Sequence, residues 1–228
     1  MPDLEAVLFD VDFTLVHPGP ELGPEGYTRL GQRHGLALDP VLYEPARAAA
    51  ITSLERHPEL RHDDEIWIAF TEEIVRGMGG DAEGARACAE AMTAAWEFHE
   101  NFELYEDALP VLEELRGYGL RLGLVSNTGR DLEAFVAHHR LAVDVAIGSR
   151  AHGFTKPAPT IFRAALHALE VQPQRTAMVG DSLEDDVKGA TALGMKAILL
   201  DRDGRHPEFA SRLEDLYGLP AALGLPRA

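Results

Sequence analysis

The chain has 228 residues, a length that suits one large domain or two small ones. Its 38 acidic residues against 21 basic ones leave a formal net charge of −17, which excludes a general nucleic-acid binder and docking on an anionic membrane surface. Cys88 is the single cysteine, so neither an intrachain disulfide nor a cysteine-based zinc cluster can form.

The amino terminus carries no basic segment followed by a long apolar one, and no apolar run reaches the ~18 residues of a membrane span. A cytoplasmic location is expected, with no membrane partner. Among the basic residues only Lys156, Lys188 and Lys196 are lysines. A chain that uses Arg almost everywhere keeps Lys where a small ammonium matters.

The first element is the apolar run Ala6-Val7-Leu8-Phe9, which ends at Asp10. Residues 19–100 then show no convincing strand but four helical stretches, 24–34, 40–56, 63–77 and 82–99, as in a small antiparallel bundle. After them a helix is expected to open at Pro110, with Leu109, Leu112 and Leu115 as its apolar face and Gly117 and Gly119 closing it. Apolar runs at 120–125, 143–147, 176–179 and 197–200 alternate with helical stretches at 131–139, 157–169 and 183–193. Short runs that are apolar on both faces read as central parallel strands covered by helices. The tail, 203–228, carries Pro207, Pro220 and Pro226 and reads as loosely packed. The expectation is a doubly wound, Rossmann-like α/β sheet with ligands at its carboxyl edge. Residues 1–16 and 101–228 form this core, and 17–100 form an inserted helical bundle. An insert after the first strand is expected to lie over that strand's carboxyl end, as a lid.

Four polar groups follow these strands or open these helices. Asp10 and Asp12 lie two apart in an extended segment, so both carboxylates face one side and repel unless a cation or shared proton holds them. Ser126 and Asn127 follow the second core strand, where a hydroxyl and a carboxamide either donate to an anion or cap a helix. Lys156-Pro157 is placed at a helix start, where the dipole already favours anions. Asp181, Asp185 and Asp186 follow the next strand within one helical turn, a set of oxygen ligands for a hard cation such as Mg²⁺ or an acidic helix start stabilised by the dipole.

In order and content these groups resemble the four motifs of the haloacid dehalogenase-like hydrolase superfamily. The resemblance extends to Leu104-Tyr105-Glu106, Gly189-Ala190 and Gly194-Met195, and the insert resembles the C1 cap of the phosphoglycolate-phosphatase-like branch. One departure is Phe13, where many members carry Gly. The resemblance implies a phosphatase acting on a small phosphorylated metabolite. Asp10 would be the nucleophile, Asp12 the acid and base, and Ser126, Asn127 and Lys156 the phosphate site. Mg²⁺ would be held by Asp10, the Asp12 carbonyl, Asp181 and either Asp185 or Asp186. Phosphomutases share all four motifs, and metal-independent haloacid dehalogenases share the fold without needing Asp12. A non-enzymatic binding module on this fold has no need for both Asp10 and Asp12.

Other conspicuous residues read as structural. His57, His62, His138 and His139 fit solvated helix faces, Trp67 and Trp96 fit packing, and Cys88 fits a small buried position. Tyr27, Arg33 and Arg47 are placed in the insert, where a leaving group could be read. No pattern assigns an oligomeric state.

Overall fold

The computed structural model describes residues 4–54 and 59–226. The chain divides into two compact units, Met1–His17 with Leu104–Ala228, and Pro18–Glu103. In chain order the elements begin with β1 (Ala6–Phe9) and β2 (Val16–Pro18). Four helices follow: α1 (Pro24–Arg33), α2 (Tyr43–Ser53), α3 (Asp64–Gly77) and α4 (Ala85–Ala95). The chain returns through β3 (Phe102–Leu104), which pairs with β2. Then come α5 (Ala108–Gly117), β4 (Arg121–Ser126), α6 (Leu132–His139), β5 (Val145–Gly148), α7 (Ser149–His152) and α8 (Pro159–Ala168). The last elements are β6 (Thr176–Gly180), α9 (Gly189–Ala192), β7 (Lys196–Leu200), β8 (Arg212–Leu213) and α10 (Leu219–Ala222).

The larger unit is built on a six-stranded sheet of order β5-β4-β1-β6-β7-β8, with every neighbouring pair parallel. Successive side chains of a strand face opposite sides. Ala6, Val7, Leu8 and Phe9 are all fully buried, so both faces of β1 are covered. On one face Ala6 and Leu8 pack with Ile161, Phe162, Ala165 and Leu166 of α8. This is the expected doubly wound fold. The helix α6 starts where it does because Asp131 accepts the Glu133 and Ala134 N–H groups, at 3.0 and 3.1 Å.

The helical unit has a core of its own. Tyr27 and Cys88 are buried in it, and the Tyr27 ring lies 5.2 Å from that of Tyr43. Tyr27 is therefore a core residue rather than an open reader of substrate, while Arg33 is exposed and Arg47 pairs with Glu44. Trp67 meets Phe70, and Trp96 meets Phe102, edge to face. His62 is not on a solvated face: its side chain is 6% exposed and bonds Asp64 at 2.8 Å. His57 and Arg56 lie outside the described residues. His138 is exposed, and the His139 ring lies tilted against that of Phe135, with centroids 4.5 Å apart.

Other expectations need correction. Helix α5 opens at Ala108 and buries Ala108, Val111, Leu112 and Leu115, leaving Leu109 37% exposed. Helix α8 begins at Pro159, because Lys156 and Pro157 are spent in a turn closed by Ala158 N–H donating to Thr155 O at 2.9 Å. The expected helix over 183–193 is a widened, π-type turn, Leu183–Lys188, followed by the short α9. The tail is not loose: β8 joins the sheet, and Leu216 and Leu219 are 0% exposed. Among the described residues no helix is long and apolar enough to cross a membrane.

The packing of the tail has a measurable consequence. Leu219→Ala should cost about 2–5 kcal/mol in urea unfolding, as a core truncation does. A loosely packed tail would lose less than about 0.5 kcal/mol, so a value that small would return the segment to its sequence-based reading.

Candidate active site

The chain leaves β1, builds β4 and β5 on one side of it, then crosses to β6 on the other. The crevice outside the carboxyl ends of β4, β1 and β6 is therefore a topological switch point, where open α/β sheets take their ligands. The register aligns these ends, since Phe9 lies level with Leu124 of β4 and Val179 of β6. Asp10 comes one residue after Phe9, and its N–H donates to Val179 O at 2.9 Å. Ser126 ends β4 and Asp181 follows β6, so all three polar tips emerge on one edge.

The centre of the edge is a cluster of charges. One carboxylate oxygen from each of Asp10, Asp181 and Asp186 lies within 4.8 Å of the others. Lys156 Nζ donates to Asp10 Oδ1 at 2.5 Å and to Asp186 Oδ1 at 2.6 Å, and this ammonium is 2% exposed. Asp10 Oδ2 accepts a long hydrogen bond, 3.3 Å, from the Thr14 hydroxyl. Burial pushes the Asp10 carboxyl up to about 7, against the pull of Lys156 and with the push of Asp186. Burial likewise raises Asp181 to about 7, with Asp10 adding to the rise and Arg205 opposing it. Asp186 rises to about 6 through burial, opposed by Lys156 and aided by Asp181. For Lys156, burial works against the charge, but Asp10 and Asp186 overcome it and hold the ammonium protonated.

The fourth group resolves into two different acids. Asp186 joins the cluster, and its Oδ2 accepts the Ser182 N–H at 3.0 Å. Asp185 does not; its Oδ2 meets Asn127 Nδ2 at 3.4 Å. The widened turn carries Asp186 back over the end of β6, and Gly180 leaves room for it. A Cβ at Gly180 would fall 2.2 Å from Asp186 Oδ2. Arg205 Nη2 lies 3.2 Å from Asp181 Oδ2, with its loop held by Asp201, which accepts the Arg205 and His206 N–H groups.

Asn127 is used differently from expectation. Its Oδ1 accepts the Lys156 N–H at 2.6 Å and its Nδ2 donates to Lys156 O at 3.2 Å. The carboxamide thus clamps the peptide of the lysine and fixes the base of the ammonium. Ser126 is 1% exposed at the strand end.

The Asp12 carboxylate also lies outside the cluster. Arg130 Nη2 donates to its Oδ1 and Oδ2, at 2.6 and 2.5 Å. The next residue, Phe13, has φ 61, the left-handed region that costs a bulky residue ~1–2 kcal/mol. A glycine there would carry no such cost. Composition does not single out Arg130, one arginine among many. Its one local signal is its position, four residues past the end of β4 and immediately before the Asp131 helix cap.

A family model described as haloacid dehalogenase-like hydrolase matches residues 4–194. A phosphoserine phosphatase from Thermus thermophilus is 37% identical over 150 residues, covering 63% of this chain and 57% of that relative. A glyceraldehyde 3-phosphate phosphatase from Methanopyrus kandleri is 31% identical over 93% of this chain and 90% of that relative. A crystal structure of an HAD phosphatase from Thermococcus onnurineus superposes with a TM-score of 0.66 at 28% identity, covering 99% of this chain and all of that one.

The raised carboxyls have a signed effect on stability. From about pH 4 to about pH 7 the folded chain binds more protons at Asp10, Asp181 and Asp186 than the unfolded chain, so these groups lower stability as pH rises through that window. Thermal melts in EDTA should show a fall in Tm across it that is smaller in Asp181→Asn. Equal slopes in the two proteins would exclude the effect.

Proposed function

The chain belongs to the haloacid dehalogenase-like hydrolases, and on that premise we propose that it hydrolyses a small-molecule phosphate monoester through an aspartyl-phosphate on Asp10, with Mg²⁺ as cofactor. The observation that carries this reading is the Lys156 ammonium shared by Asp10 and Asp186 inside a three-carboxylate cluster. Three buried or half-buried oxygen donors with one ammonium between them retain an excess of negative charge, the donor set of a hard divalent cation. Asp10, Asp181 and Asp186 are the residues proposed to hold Mg²⁺. The bound cation would supply the positive charge that lets a phosphate dianion approach an acidic site.

The chain's own groups divide the remaining work. In the proposed first step Asp10 attacks phosphorus, the bond to the leaving oxygen breaks, and that oxygen takes its electron pair and a proton from Asp12. In the second step water attacks the acyl phosphate, its proton passes to Asp12, and the bonding pair returns to the Asp10 carboxylate. Lys156 holds Asp10 Oδ1, which leaves Oδ2 as the less committed oxygen for attack. Ser126 at the end of β4 and the Lys156 ammonium are the proposed donors to the transferring phosphoryl oxygens. Asn127 serves by fixing the Lys156 backbone. A metal-independent dehalogenase has no use for a cation-seeking cluster, which weighs against that alternative.

The test is hydrolysis of p-nitrophenyl phosphate with Mg²⁺, with EDTA, and by Asp10→Asn. Activity should fall by at least about 10³-fold in the last two, the scale expected when a nucleophile or its electrostatic partner is lost. Activity that survives either change, or turnover of 2-chloropropionate without metal, would overturn the reading. A kcat/KM panel should open with phosphoserine and glyceraldehyde 3-phosphate, the compounds in the names of the two relatives.

A further inference from the structure

Two cations are buried among the described residues, Lys156 and Arg130, and each holds one of the two acids that follow β1. Lys156 and Asp10 both take part in the proposed phosphoryl transfer, whereas Arg130 contacts the proposed acid and base. Its placement is specific. The Arg130 N–H donates to Thr128 Oγ1 at 3.1 Å, and its guanidinium lies 5.2 Å from the centroid of the Phe135 ring. Thr128 is fixed in turn, because its N–H donates to Ser149 Oγ at 2.9 Å and that hydroxyl donates back to Thr128 O at 3.2 Å. The Arg130 side chain is 1% exposed and the Asp12 side chain 19%. A buried guanidinium costs several kcal/mol to desolvate, so its compensation by Asp12 ties the position of that carboxylate to Arg130.

We propose that Arg130 is the positioning residue for Asp12, holding its carboxylate in place and meeting the negative charge left on it when its proton passes to the leaving oxygen. This rests on the phosphatase reading above. The pair seen here, with one Nη2 on both Asp12 oxygens, has the geometry of the state after that transfer. Charge develops on Asp12 as the phosphorus–oxygen bond breaks, and a fixed cation already beside it stabilises that moment without reorganisation. The benefit is confined to leaving groups that need a proton. An alkoxide does, and p-nitrophenolate does not.

The experiment compares kcat/KM, which reports the steps up to cleavage of the leaving group, for an alkyl phosphate that the enzyme turns over and for p-nitrophenyl phosphate. Arg130→Met should lose about 10–10²-fold on the alkyl ester and less than about threefold on the aryl ester, within the range of general-acid contributions. In an Asp12→Asn background the same substitution should cost less than about twofold more, because residues that act through one another are not additive. Arg130→Lys, which keeps the charge, should recover part of the alkyl-ester activity. It also carries the comparison if Arg130→Met does not fold. Equal losses on the two esters, additive losses in the double variant, or a raised KM at unchanged kcat would overturn the proposal. The last would make Arg130 a reader of the substrate's phosphate. Hydrolysis of the aryl ester by the wild type, and its loss in Asp10→Asn, checks the underlying phosphatase reading separately.

Discussion

Three carboxylates each place an oxygen within 4.8 Å of the other two, one ammonium binds two of them, and the surrounding structure is arranged to hold these charges there. Unit charges about 4 Å apart interact by ~4 kcal/mol near a protein surface, so no member of the cluster is indifferent to the others. Three negative charges less one positive leave two in excess when all are ionised. Protons or a dication can supply the difference. The raised carboxyls describe the first solution, and the proposed Mg²⁺ is the second. The parallel register of β1 with β4 and β6, the small volume of Gly180 and the widened turn after Ser182 each bring one member into place.

Another ion pair, with Asp107 buried and Arg202 half-buried, braces the same edge. Arg202, just past β7, makes a two-pronged bond to Asp107 at 2.8 and 2.9 Å and donates to Thr14 O at 2.9 Å. Its guanidinium lies 3.8 Å from the centroid of the Tyr105 ring, and Asp107 also accepts the Leu216 N–H. The loop carrying Asp10 to Thr14 is thereby tied to α5 and to the tail. Both Asp107 oxygens are met, and because desolvation offsets much of the attraction in such a pair, its worth lies in fixing geometry more than in net stability. The tail is part of this brace, which is why its prolines do not make it loose.

What the sequence made legible follows from chemistry that leaves a local trace. Five of the six core strands are legible as short apolar runs, most clearly β1, β4 and β6, which lie in the middle of the sheet and are covered on both sides. Lys156 stood out because the chain otherwise uses arginine. The hidden features depend on contacts distant in sequence. Asp185 and Asp186 are adjacent, and only the π-type turn decides which one faces the cluster. Arg130 meets Asp12 across 118 positions of chain, and Asn127 looked like an anion donor because its two bonds to the Lys156 peptide cannot be read locally. Lys156-Pro157 looked like a helix start because proline favours both a first helical turn and a tight turn.

The overall charge of −17 raises the question of how such a chain receives an anion. Screening limits its reach, since exposed charges beyond a Debye length of ~8 Å contribute little at physiological salt. The decision therefore falls to the groups at the sheet edge. There Lys156 and Arg130 are buried and barely screened, each bound to a different acid of the Asp10-Val11-Asp12 segment. The proposed nucleophile is tied to one cation, and the proposed proton donor to the other. That division lets two carboxylates separated by a single residue have different surroundings, and hence different chemistry, in one site.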